Sequence, residues 1–243
     1  MRAGEVKAAL RALPPATFET LFDRRPLLVL APHPDDESLG CGGLIAMACA
    51  RRHDVHVAIL TDGAASHPGS VAWPPARLRA RRQEEARAAT RLLGLAEDRV
   101  LFLDVPDSRA PHDDAGFAAL AARVLPMLAA RGIGTICAPW RHDPHGDHVA
   151  AARLAATAAA RLGLVHYAFP VWAWTVPDEG DLPPAPAGAR LDIAPYLALK
   201  RRAIDAHATQ TTGLIADSPD GFRMSADFRA PFEQPWETFL REG

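Results

Sequence analysis

Cysteine is scarce in this sequence. Its three residues, Cys41, Cys49 and Cys137, form no Cys-x-x-Cys pair, and the count is odd. That argues against a disulfide framework or a thiolate zinc site and leaves the cysteines as small buried hydrophobes. An excess of one charge sign is missing too: 27 Lys and Arg face 29 Asp and Glu, for a net charge of -2. No nucleic-acid or membrane-surface partner is therefore expected. The arginines clustered at 77–91 are interleaved with glutamate and read as a solvated helix face. No apolar run is long enough for a transmembrane segment, and the stretch before Pro26 scatters Asp and Glu where a secretion signal needs an apolar core. A cytoplasmic location is the default expectation. Lysine is rare, at Lys7 and Lys200 only, which is a bias of composition rather than a functional signal.

What is present is a regular alternation. The chain has 243 residues, 49% of them hydrophobic, which suits a single domain over 1–243. Short apolar runs at 26–31, 54–61, 99–105, 134–140 and 164–174 read as strands. Helical periodicity fills 39–52, 76–94, 116–132 and 147–163, and Pro126 is expected to bend or break the third of these. A Pro-rich stretch at 176–189 reads as a surface loop, followed by a strand near 190–193 and a helix at 195–210. The tail 211–243 has no clear pattern. Strands that are apolar on both faces, alternating with helices, predict a Rossmann-like, doubly wound α/β fold with a mostly parallel sheet and helices on both faces.

Two windows concentrate ionisable side chains, each just after a predicted strand. In "APHPDDE" (31–37) stand His33, Asp35, Asp36 and Glu37; in "PWRHDPHGDH" (139–148) stand His142, Asp143, His145, Asp147 and His148. Open α/β sheets build sites outside the carboxyl ends of their strands, so both windows fall where this fold binds ligands. His33 and Asp36 are three residues apart, which puts them on one side of a starting helix with Asp35 pointing elsewhere. His145 and His148 repeat that spacing. A lone Asp before a helix is ordinarily a cap, but burying so many charged groups together is costly and rarely serves stability. His and carboxylate donors without thiolate suit Zn²⁺, with another divalent metal as an alternative. His142 and Asp143 lack a helical partner and read as loop residues or supports for the ligands. Gly40, Gly42 and Gly43 allow the helix start to pack closely on neighbouring strands.

With "APHPDDE" and "PHGDH" the sequence resembles the LmbE-like, or PIG-L, family of zinc-dependent de-N-acetylases, over about residues 26–210. "TDG" (61–63), "RQEEARAATRLLG" (82–94), "VPDSR" (105–109) and "KRRAIDAHATQ" (200–210) are similar to further features of that family. The resemblance implies that His33, Asp36 and His148 ligate zinc and that Asp35 is the general base. It implies that His145 stabilises the oxyanion or donates a proton, with Asp147 orienting it, and that Arg82 and Asp107 contact the sugar. Glu37 would be structural, bonding nearby backbone amides. His207 and Gln210 would line the rim or simply pack, and His67 would be a loop residue or reach the site. The implied substrate is a small-molecule N-acetylated amino sugar of the N-acetylglucosamine type, or a glycoconjugate of one.

Three rivals follow. One is an amidase acting on a larger acyl or thiol conjugate with the same zinc centre. A second is a Rossmann-type nucleotide-binding or methyl-transfer protein built on "GCGG" (40–43), which is not G-x-G-x-x-G and follows the charged cluster instead of opening the turn. A third is a metal-binding relative without catalysis, against which stands the presence of every expected catalytic residue. The tryptophans 73, 140, 172 and 174 would stack on a sugar or pack in the core. Association into a homo-oligomer stays open.

Overall fold

The structure, a computed structural model, describes residues 1–242. The chain runs through α1 (Ala3–Arg11), β1 (Pro15–Ala16), α2 (Phe18–Leu21), β2 (Leu27–Ala31), α3 (Asp36–Ala50), β3 (Val55–Thr61), α4 (Pro75–Leu92) and β4 (Val100–Val105). It continues through α5 (Asp114–Ala130), β5 (Thr135–Pro139), α6 (Gly146–Leu162), β6 (Val165–Phe169), β7 (Gly188–Asp192), α7 (Leu197–Ala206), α8 (Ala208–Thr211), α9 (Ala226–Arg229) and β8 (Trp236–Glu242). Among the described residues the strands form one eight-stranded sheet in the order β1-β7-β8-β6-β5-β2-β3-β4. Only β8 runs antiparallel to its neighbours, β6 and β7.

The period-2 geometry of a strand explains why the apolar runs are continuous. Along β2, Leu27, Val29 and Ala31 enter one core and Leu28 and Leu30 the other. The first core is closed by α3, α4 and α7, the second by α5 and α6. Helices thus cover both faces, and the doubly wound α/β expectation holds. From β2 the chain winds one way through β3 and β4, then returns to the other side of β2 and winds through β5 and β6. The winding reverses between β2 and β5. Their carboxyl ends therefore flank the crevice where such sheets bind ligands. Those two strand ends carry the two charged windows.

Close packing of α3 depends on its glycines. A Cβ at Gly43 would stand 2.6 Å from Ile193 Cβ, and one at Gly40 would run into the Phe169 ring.

Several elements differ from the expectations. The helix 116–132 is one element, α5, that runs on through Pro126 instead of dividing there. Ala122, whose carbonyl loses its partner to the proline, is exposed, as is Pro126, so water can satisfy the freed group. The strand expected over 164–174 ends at Phe169 and is followed by a 3₁₀ turn at Trp172–Thr175. There the amides of Val171, Trp172 and Ala173 donate to the Asp143 carboxylate instead of to a strand. The helix 195–210 is interrupted at His207, whose side chain turns to Glu37. The tail supplies β8, a strand inside the sheet.

One buried group on β6 makes stability depend on pH. His166 is 6% exposed, and its Nε2 has no hydrogen-bond partner among the described residues. Burial, with Arg141 and Arg241 adding to it, pushes this imidazole down to about 4. Below its ordinary value of 6.5 the unfolded chain takes up a proton that the folded ring refuses. Stability therefore falls between pH 6.5 and pH 4, by about 3 kcal/mol from this group. Urea unfolding at pH 7 and pH 4.5 should show a larger loss for the wild type than for His166→Asn; equal losses would refute the assignment.

Candidate active site

β2 delivers the first window and β5 the second. After Ala31 the chain passes Pro32, His33, Pro34 and Asp35 before α3 begins at Asp36. Asp35 has a φ of 145°, a region that costs a non-glycine residue about 1–3 kcal/mol. Specific contacts hold it there. Its amide donates to Glu37 Oε2 (2.9 Å), and Arg82 Nη2 donates to Pro34 O (2.7 Å) and to Asp35 Oδ2 (2.9 Å). Arg82 Nη1 donates to Gly63 O (2.9 Å). Gly63 has a φ of +67°, and a Cβ there would come within 2.7 Å of the guanidinium. Glu37 in turn accepts from Ser38 Oγ (2.7 Å) and lies 2.9 Å from His207 Nε2.

His33, Asp36 and His148 converge: each offers one ligand atom, all within 4.8 Å of one another. Asp36 Oδ2 lies 3.1 Å from His33 Nδ1 and 3.3 Å from His148 Nε2. The other nitrogen of each imidazole faces carboxylate. His33 Nε2 is 3.2 Å from Asp147 Oδ2 and 3.4 Å from Asp107 Oδ1, and His148 Nδ1 is 3.0 Å from Asp143 Oδ2. Metal-ligating histidines are commonly held this way, by a carboxylate on the ring nitrogen that does not bind. His148 Nε2 is fully buried and makes no hydrogen bond to any described residue. A buried nitrogen left bare beside a carboxylate fits a cation site, so the residues present suit a divalent metal.

The electrostatics agree. Burial would lower His148, but Asp36 and Asp143 override it and raise it to about 9. Burial would likewise lower His33, yet Asp107, Asp147 and Asp36 raise it well above its ordinary value. Asp36 is held far below the usual carboxylate range by His148 and His33, despite burial. The cluster favours positive charge at its centre. Asp35 behaves oppositely: burial raises it to about 7, with Arg82 opposing the shift and Asp36 adding to it.

His145 caps α6, its Nδ1 accepting from the Asp147 amide (3.2 Å), so Nε2 is the nitrogen left for a substrate. Burial and the charges of His33 and His148 lower this imidazole. The Asp147 carboxylate does not turn to His145. It accepts from the amides of Ser108 (2.8 Å) and Ala110 (3.0 Å) and approaches His33. Ligand atoms of His145, Asp147 and His33, one from each, lie within 4.8 Å of one another, but the unpaired amides after β4 take the hydrogen bonds of the Asp147 carboxylate.

Asp35, Arg82, Asp107 and His145 all line one cavity of about 280 Å³. Arg82 is 2% exposed, and its terminal nitrogens are engaged by Asp35 and two carbonyls. Trp172, Phe222 and Phe228 form an aromatic wall of the same cavity, with ring centroids 5.3–5.5 Å apart. The Trp172 ring stacks on His145 at 5.8 Å. Gln210 reaches this cavity, whereas His207 is buried against Glu37 and His67 packs under Gly221. Trp140 is fully buried, and Trp73 and Trp174 pair with Arg77 and Arg11 and do not line this cavity. The residues that sequence reasoning left aside are Asp143, which grips His148, and Phe222 and Phe228 of the tail.

A profile of the family described as PIG-L: GlcNAc-PI de-N-acetylase matches residues 28–159, more than half of the chain. The chain belongs to the PIG-L family. It is 28% identical to the 1D-myo-inositol 2-acetamido-2-deoxy-alpha-D-glucopyranoside deacetylase of Rhodococcus opacus (strain B4), over 87% of this chain and 89% of that protein. It is 30% identical to the 2'-N-acetylparomamine deacetylase of Streptomyces fradiae, over 56% of this chain and 53% of that one. In fold it is similar to the N,N'-diacetylchitobiose deacetylase from Pyrococcus horikoshii, with a TM-score of 0.63 at 20% identity over 84% of this chain and 76% of the other. The PIG-L segment contains both charged windows. The aromatic wall at 172, 222 and 228 lies outside it. No helix among the described residues is long and apolar enough to cross a membrane.

Proposed function

We propose that this PIG-L protein is a metal-dependent N-deacetylase that hydrolyses the acetamide of an N-acetylated amino sugar or its conjugate. The observation that carries the reading is the convergence of His33, Asp36 and His148 beside Asp35, a carboxylate that is not one of the three ligands. A divalent cation, Zn²⁺ for a His/Asp donor set, would supply Lewis acidity toward the amide carbonyl and toward water. Asp35 accepts the proton of the attacking water, held in place by Arg82 and by its own backbone bond to Glu37. His145 presents Nε2 toward the oxygen on which negative charge develops. The nitrogen that leaves takes its proton from Asp35 or from His145, both of which line the cavity. Trp172, Phe222 and Phe228 offer apolar faces to the C–H faces of a sugar ring in the cavity that Asp107 also lines.

Elemental analysis joined to acetate release tests this reading. We expect about one zinc per chain, the stoichiometry of a single His/Asp/His site. Acetate should be released from N-acetylglucosamine or an N-acetylglucosaminide, stop on chelation, and return with added metal. Bound metal without acetate from any N-acetyl sugar would overturn the reaction and point to a larger acyl or thiol conjugate. No metal under metal-replete conditions would overturn the site as well.

A further inference from the structure

We infer that Asp143 is a positioning residue: one carboxylate sets the tautomer of the metal ligand His148 and anchors the cavity wall that carries Trp172. The inference rests on the metal site proposed above. Asp143 is 1% exposed and accepts from every side. Val171 N (2.9 Å) and Trp172 N (3.2 Å) donate to Oδ2, and Ala173 N (2.9 Å) donates to Oδ1. His148 Nδ1 completes the set at 3.0 Å from Oδ2.

These partners leave no freedom of role. A backbone N–H only donates, so both carboxylate oxygens are committed as acceptors. His148 Nδ1 must then carry a hydrogen and donate it. In the neutral ring that leaves Nε2 as a bare lone pair, and Nε2 is the atom aimed at Asp36 Oδ2. The ring cannot reverse its tautomer without placing a lone pair against the carboxylate. The same three amides fix residues 171–173, where the chain leaves β6, and so set the Trp172 ring against His145. Ligand geometry and substrate wall are joined at one side chain.

The decisive variant is Asp143→Asn. An amide keeps one acceptor oxygen and gains an NH₂ group. Turned toward the backbone, the NH₂ opposes the N–H donors; turned toward His148, it forces Nδ1 to accept and moves the ring hydrogen to Nε2. Metal affinity, measured by competition with a chromogenic chelator, should fall about 10–100-fold. The KM for an N-acetyl sugar should rise as the Trp172 wall loosens. A double-mutant cycle with His148→Ala should be strongly non-additive for metal affinity, because Asp143 acts through that ring. A residue that only stabilises the fold would lower the melting temperature of the metal-free protein and leave metal affinity unchanged. That outcome, or simple additivity in the cycle, overturns the inference.

The wild type offers a test that does not depend on a variant folding. Histidine ¹⁵N spectra of the intact protein should show His148 with its hydrogen on Nδ1, and cadmium should couple to Nε2. A neutral ring with hydrogen on Nε2 and Nδ1 bare would overturn the proposal. If the wild type binds no metal, it is the functional reading that fails, and ¹⁵N spectra recorded above about pH 9, where the His148 ring is neutral, still report on Asp143.

Discussion

Replacing Asp35 with asparagine should lower the rate of acetate release about 10²–10⁴-fold while leaving bound metal unchanged. The substitution keeps the shape of the side chain and removes its basicity. Asparagine has the same branching at Cβ and Cγ as aspartate, so a φ of 145° costs it about what it costs the wild-type residue and the backbone should survive the change. The Asp35 amide would still donate to Glu37, and Arg82 would still hold the carbonyls of Pro34 and Gly63. Metal content should match the wild type because His33, Asp36 and His148 are untouched. Elemental analysis and initial rates on one preparation decide the matter. A full rate with metal bound would remove Asp35 from the chemistry. Loss of metal together with activity would mean that Asp35 shapes the site rather than acting as the base.

Lys200→Met should cost the protein about 3–5 kcal/mol of stability, the usual penalty for stranding one member of a buried ion pair. Lys200 is 1% exposed and donates to Glu237 Oε1 at 2.7 Å. Glu237, from β8, also accepts from the amides of Gly43 (2.7 Å) and Leu44 (2.8 Å) in α3. The pair therefore ties α7, β8 and α3 together. Methionine fills the volume but leaves the carboxylate with two neutral donors and no countercharge. For a chain of this size the melting temperature should drop by roughly 6 °C or more. A loss below about 1 kcal/mol would show that the two amides alone satisfy the carboxylate.

The parts of this molecule that were legible in the sequence are those with a period or a fixed spacing. β2 announces itself because burial on both faces leaves no polar position, and the i, i+3 placement of His33 and Asp36 is a property of any helix start. Asp143 has no such signature. It reaches His148 across a loop, and its other partners, Val171 to Ala173, lie beyond a whole helix and strand. Its role exists only after β5 and β6 pair. The direction of the Asp147 carboxylate was hidden for the same reason: it depends on unpaired amides after β4. The break at His207 follows from a buried partner, Glu37, far away in the chain. Pro126 shows the converse, a strong local signal overridden because the lost bond faces water.

The place of β8 in the sheet has a consequence for how the chain is made. Among the described residues β1 pairs only with β7, and β7 reaches the remaining strands only through β8. Synthesis therefore releases the five parallel strands β2 to β6, with both charged windows, well before the strand that joins β7 and β1 to them. Until residues 236–242 leave the ribosome, β6 has an open edge and β7 and β1 have no sheet to join. An open edge of this kind is a template for pairing with another chain, so the nascent protein is most exposed to misassembly just before its last strand is complete.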